Sequence, residues 1–77
     1  MVTELVALIV QNLVSEPELL EIGSRESAQG LTIEIRCAPG DVGRIIGRGG
    51  RTINSVRTLA RAASEGQERV EVQLLNA

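Results

Sequence analysis

Ten consecutive residues, Gly43-Arg44-Ile45-Ile46-Gly47-Arg48-Gly49-Gly50-Arg51-Thr52, hold most of the chemistry this chain can offer a ligand. Four glycines and three arginines surround a single pair of isoleucines. Glycine-rich backbone lets bare N–H groups come close to another molecule. The arginines beside it make that visitor an anion. A helix starting near Arg51 adds the positive end of its dipole. The stretch therefore reads as a phosphate-gripping turn between two helices.

Elsewhere the composition mostly excludes. The chain has 77 residues, enough for one small domain and a modest core. It contains no histidine and one cysteine, Cys37, so neither a disulfide within the chain nor a zinc site is available. No cofactor is called for. The apolar run Leu5 to Val10 is far too short for a bilayer, which takes about 20 residues. With no signal peptide visible, no membrane insertion and a cytoplasmic location are the expectations. There is no Phe, Tyr or Trp, which rules out nucleic-acid modules that stack bases on aromatic rings. Modules that hold the backbone and read bases by hydrogen bonds remain.

The net charge is −2, but it is unevenly spread. Residues 1–35 carry one arginine against six acids, and residues 36–69 carry seven arginines against three acids. Positive charge therefore gathers around the glycine turn. All eight basic residues are arginine, which suits bidentate phosphate contacts.

The elements around the turn follow from periodicity. Val2 to Val14 reads as a helix with Thr3 as N-cap, ended by Pro17. Leu5, Leu8, Ile9 and Leu13 form one stripe, widened by Val2, Val6, Val10 and Val14, so that one side packs on a sheet and the other is open to a partner. Leu19 to Arg25 is a weak strand, and 26–30 is a turn. Leu31 to Cys37 is the clearest strand, with Leu31, Ile33, Ile35 and Cys37 on one face. Asp41 caps a short helix, Val42 to Ile46. Spacing leaves open which of Ile45 and Ile46 faces inward. A second helix runs from about Arg51 to Ser64, with Ile53, Val56, Ala60 and Ala63 inward, Arg57 and Arg61 on a solvated outer face, and Gly66 as its stop. Arg69 to Leu75 closes the chain as a strand. The expected class is α+β in the order α-β-β-α-α-β. Its sheet is three-stranded and mixed, with all three helices on one face.

With the elements in place, Ile45-Ile46-Gly47-Arg48-Gly49-Gly50 followed by Ile53 resembles the core motif of the KH domain: an aliphatic pair, G-x-x-G, then an aliphatic residue early in the next helix. The element order is similar to the type II, bacterial form of that fold. Asp41-Val42-Gly43-Arg44-Ile45-Ile46-Gly47 resembles the phrase before the loop in small stand-alone bacterial KH proteins of the KhpA type. The resemblance runs from about Val2 to Leu74, which makes residues 1–77 a single KH domain. It implies a single-stranded RNA-binding protein that clamps about four nucleotides. It further implies an RNA chaperone or post-transcriptional regulator. On this resemblance Gly47 and Gly50 permit close approach, Arg48 points at phosphate, and Arg44 and Arg51 add charge. Ile46 and Ile53 line the groove floor, and strand 69–75 forms its far wall. Gly49 stands where the family often has a polar or basic residue, so weak, sequence-tolerant and salt-sensitive binding is expected. The resemblance also implies a homodimer, or a heterodimer with a larger KH-containing protein.

Two other classes compete with this reading. A nucleotide-binding enzyme lacks its signatures: the Walker motif needs a lysine, and this chain has none. Gly47-Arg48-Gly49-Gly50-Arg51-Thr52 lacks the last glycine of the dinucleotide fingerprint. No nucleophile–base pair stands out. The alternative to RNA binding is a dimerisation module with a KH fold and no direct RNA role, for which the wide apolar first helix and the acidic N-terminal half argue.

Overall fold

The computed structural model describes residues 1–76. Helix α1 spans Val2–Gln11, β1 Glu21–Ser27, β2 Gly30–Arg36, α2 Val42–Ile46, α3 Arg51–Ala63 and β3 Val70–Leu74. The expected order α-β-β-α-α-β is the observed one. β1 and β2 form an antiparallel hairpin closed by the two-residue turn Ala28-Gln29, with Ser27 opposite Gly30. β2 and β3 run parallel, Ile33 opposite Val72. The link between them is the α2–α3 pair with its glycine turn, so the sheet order β1-β2-β3 leaves β3 at an edge.

Alternation in β2 sends Leu31, Ile33 and Ile35 to the helix side, where Val70 and Val72 join them from β3. Thr32, Glu34 and Arg36 take the other face. Val6 and Val10 of α1, Ile45 of α2, and Ile53, Val56 and Ala60 of α3 complete one apolar cluster with Cys37. Cys37 is thus a small core residue, as its register suggested. Burial pushes its thiol pKa up. The Asn76 side chain hooks it in place, donating from Nδ2 to the Cys37 carbonyl at 2.8 Å.

Several boundaries and faces differ from expectation. α1 stops at Gln11 rather than Val14, and Met1 rather than Thr3 sits at its N-cap. Its last turn tightens: Asn12 N–H donates to the Ile9 carbonyl and Leu13 N–H to the Val10 carbonyl. Just beyond, the Ser15 and Glu16 N–H groups are claimed by the Asp41 carboxylate instead of continuing the helix. Of the two stripes on α1 the valine stripe is the buried one, while Leu8 is 55 % exposed. β1 starts at Glu21, because Pro17–Leu19 forms a 3-10 turn. α3 ends one residue early at Ala63, which is exposed. Its fourth inward position is taken by Ser64, whose hydroxyl donates to the Arg61 carbonyl at 2.8 Å. β3 is a residue shorter at each end than expected. No helix among the described residues is long and apolar enough to cross a membrane.

The chain reverses after α3 through Glu65 as well as Gly66. Glu65 has φ +56°, the only positive φ of a non-glycine residue among the described residues. A side chain in that region costs about 1–2 kcal/mol, part of which a glycine gives back as unfolded-state entropy. Glu65→Gly is therefore expected to raise the unfolding free energy by about 0.5–1 kcal/mol. Urea unfolding followed by far-ultraviolet circular dichroism reads this, and a lower midpoint for the variant would refute it.

Candidate functional site

The glycine turn is held by backbone geometry that one residue type can supply. Gly47 has φ +76° and ψ +171°, a combination open essentially to glycine alone. A Cβ there would sit 2.2 Å from Thr52 Oγ1 and 2.8 Å from the Thr52 nitrogen. Gly47 N–H closes α2 by donating to the Gly43 carbonyl at 2.8 Å, and Gly50 N–H donates to the Gly47 carbonyl at 3.1 Å. Gly49 and Gly50 are both left-handed and turn the chain into α3. The N–H groups of Arg48 and Gly49 find no acceptor among the described residues. They lie beside the start of the 13-residue helix α3, the positive end of its dipole.

The side chains divide around this turn. Ile45 is fully buried and belongs to the core, while Ile46 is half-buried beside the turn. That resolves the choice the spacing left open. Ile53 is 6 % exposed and mostly core, so it offers a visitor little more than an edge. Arg48 and Arg51 are exposed and meet no carboxylate among the described residues. Arg44 is tied through Nε to Asp41 Oδ1 at 3.2 Å, which leaves the outer nitrogens of its guanidinium free. Gly43, Ile46 and Gly47 share one face of α2 at i, i+3, i+4. A Cβ on Gly43 would meet nothing within 4 Å. Close packing inside the fold therefore does not require a glycine at this position.

Two features escaped the sequence reading. Asp41 was expected to cap α2, yet its side chain makes no cap bond there. It is fully buried. It accepts from Ser15 N–H at 3.0 Å, Ser15 Oγ at 2.9 Å and Glu16 N–H at 3.1 Å. These bonds tie the α1–β1 connection to the start of α2. The Ser15 backbone bond is the largest influence on the carboxyl; with the Ser15 hydroxyl, Glu16 and Arg44 it outweighs burial and holds the pKa below the usual carboxylate value. The second feature is what Arg57 and Arg61 touch: both were expected on a solvated face, where Arg61 is indeed exposed and Arg57 is half-buried. Arg57 Nε donates to the Val72 carbonyl at 3.2 Å, and Arg61 Nε to the Val70 carbonyl at 3.4 Å. With Asn54, Glu71 and Gln73 they line a shallow groove between α3 and β3. The i, i+4 spacing was visible in the sequence, but not that an edge strand lies beneath it.

Chemically the arrangement is a set of hydrogen-bond donors and positive charge at one end of the molecule. At the far end of α3, Glu4, Glu26, Glu65 and Glu68 rim a cleft, so charge changes sign along the helix. No group of three or more His, Cys, Asp or Glu residues that could hold a metal occurs among the described residues.

A family model described as the KH domain of KhpA/KhpB matches residues 3–74. Similar proteins include "RNA-binding protein KhpA" from the bacterium Leifsonia xyli, 37 % identical over 88 % of this chain and 88 % of that protein. The proteins of the same name from Caldanaerobacter subterraneus and Chlamydia trachomatis are each 37 % identical over 94 % of this chain, and over 97 % and 94 % of theirs.

Because the folded pKa of Asp41 is depressed, its contribution to stability is present above the ordinary carboxylate value of about 4 and is lost as pH falls through the folded pKa. Asp41→Asn is expected to unfold at lower urea than the wild type at pH 7, with the difference closing below about pH 4. A difference between the two proteins that does not change with pH would show that ionisation of Asp41 contributes nothing.

Proposed function

The chain belongs to the KhpA/KhpB family of KH domains, and from that premise we propose that it binds single-stranded RNA by its sugar–phosphate backbone. We read residues 1–77 as one such domain, working in the cytoplasm as an RNA chaperone or post-transcriptional regulator. It acts as a binding protein and not as an enzyme, in keeping with the names its relatives carry. The observation that carries the reading is the Gly47-locked turn. It leaves the Arg48 and Gly49 N–H groups unpaired next to the unpaired Arg48 and Arg51 guanidiniums.

In this reading phosphate oxygens take the two free N–H groups at Gly47-Arg48-Gly49-Gly50. Arg48, Arg51 and the outer nitrogens of Arg44 surround them with charge. The bare surface of Gly43 and the side chain of Ile46 let the strand lie close along α2, with β3 as the far wall. Gly43 fits this role because nothing in the fold itself crowds it. About three arginine–phosphate contacts give a slope of about −2 in log K against log salt. A second reading, pairing with another copy or with a larger KH-containing protein, is favoured by Leu8 and Leu59. These are 55 % and 49 % exposed, on two helices that pack side by side. The two readings are compatible.

Fluorescence anisotropy with short labelled RNA at two salt concentrations tests the first reading. The wild type is expected to bind with micromolar-range affinity and to weaken with salt. Arg48→Asp/Gly49→Asp, whose second aspartate sits at an open left-handed position that Asp tolerates, is expected to stay folded and not to bind. Gly43→Ala is expected to raise stability by about 0.5–1 kcal/mol, through helix propensity, while weakening binding. Wild type and double mutant both inert would remove the RNA reading; both binding equally would move the contact away from the turn. For the pairing reading, sedimentation velocity is expected to show a concentration-dependent shift that Leu8→Glu abolishes. A strictly monomeric wild type would overturn it.

A further inference from the structure

β1 has a strand on one side only, and the two-residue turn decides which of its peptide groups that neighbour uses. Ser27 and Gly30 flank the turn, so they exchange both of their backbone bonds. Arg25, Gly23 and Glu21 repeat that pairing at every second position, opposite Thr32, Glu34 and Arg36. Ile22, Ser24 and Glu26 therefore turn their N–H and C=O groups away from the sheet. None of these groups finds a partner among the described residues. The strand is also uncovered, since Ile22 alone of its residues is even half-buried.

The side chains of the same three residues face the helices, where they line the cleft at the far end of α3. Val2, Ala7 and Leu31 add apolar lining beside Ile22, and Glu4, Glu26, Glu65 and Glu68 make the rim acidic. The only cation in the cleft is the Met1 amino group, which Glu4 holds. Glu26, Glu65 and Glu68 meet no basic group among the described residues. An extended chain laid along β1 sends every second side chain to this side of the sheet. Lysine or arginine suits those positions, with its stem on the apolar lining and its charge at the rim. A nucleic-acid strand is repelled there. A second copy brings another β1, with two glutamates to one arginine, and so repeats the charge already present.

We propose that β1 is a docking edge for an extended basic segment of a protein partner, which adds to the sheet as a fourth strand with lysine or arginine at alternate positions. Backbone bonds to Ile22, Ser24 and Glu26 hold the segment, and the carboxylates at the cleft select its charge. The site is separate from the glycine turn, which lies at the other end of α3, so the proposal stands or falls apart from the RNA reading.

The test is fluorescence anisotropy with a labelled peptide of alternating lysine and valine, as long as β1. The wild type is expected to bind it with a Kd below about 1 mM, and to bind the same peptide with glutamate for lysine at least about tenfold more weakly. Two further peptides are N-methylated, one at the lysine amides and one at the valine amides. Only one of these sets faces β1 in either strand direction, so their affinities are expected to differ by at least about tenfold. A purely electrostatic contact would leave them equal, and equality would overturn the proposal. Ser24→Pro removes an outward N–H that serves no bond in the sheet, and is expected to weaken the lysine peptide by at least about tenfold. Glu26→Gln/Glu68→Gln is expected to weaken it by at least about threefold, and an unchanged affinity would refute the role given to the carboxylates. Circular dichroism checks that Ser24→Pro folds; if it does not, the methylated pair on the wild type decides. No binding of the lysine peptide up to about 1 mM overturns the proposal. So does self-association in sedimentation velocity that Ser24→Pro abolishes while the peptide stays unbound, because the occupant of the edge is then a second copy.

Discussion

A single buried carboxylate joins the two parts of this molecule. Asp41 has no exposed surface, and it collects two backbone N–H groups and a hydroxyl from Ser15 and Glu16. A carboxylate this deep is tolerable because these donors, and Arg44 across from it, replace the water it gave up. The bonds span 25 and 26 residues of sequence. They set where α1 must end, where the 3-10 turn at Pro17 begins, and how α2 starts. The orientation of α2 then fixes Gly47, and Gly47 fixes the turn. The placing of two free N–H groups at the surface thus traces back to one acid in the interior.

The turn illustrates how a surface feature is stored in backbone rather than in side chains. Three successive features of it need glycine or use it: the φ and ψ of Gly47, and the left-handed Gly49 and Gly50. None of these is stabilising in itself, and each costs conformational entropy on folding. The core beneath, with Ile45 on one side of the turn and Ile53 and Val56 on the other, holds that unfavourable geometry in place. The charge distribution follows the same axis, basic where α3 begins and acidic where it ends. A chain of net charge −2 thereby still presents a positive end.

Much of this was legible in the residues. The alternation of Leu31, Ile33 and Ile35 against Thr32 and Glu34 located the central strand. The spacing of Val42, Ile45 and Ile46 located α2 to the residue. The glycine pattern located the turn. What was hidden had a common cause, contact between parts distant in sequence. Asp41 looked like a local cap because an acid before a helix normally is one; its real partners lie 25 and 26 residues earlier. Arg57 and Arg61 looked like solvated charges because polar residues four apart on a helix usually are. Only the parallel pairing of β3 places an edge beneath them. On α1 the broad apolar face gave no means of choosing between leucine and valine stripes, since that choice depends on the shape of the surface it meets.

The two arginines that α3 lays on β3 also make the sheet asymmetric as an object that can be extended. β1 has a neighbouring strand on one side only, and so has β3, but on β3 the acceptors at Val70 and Val72 are taken up by guanidiniums. Continuous cross-β growth needs two receptive edges per molecule. A molecule with one edge partly satisfied from within is a poorer template on that side than on the other. β3 is thereby the less receptive of the two edges, blunted by side chains that also line the groove.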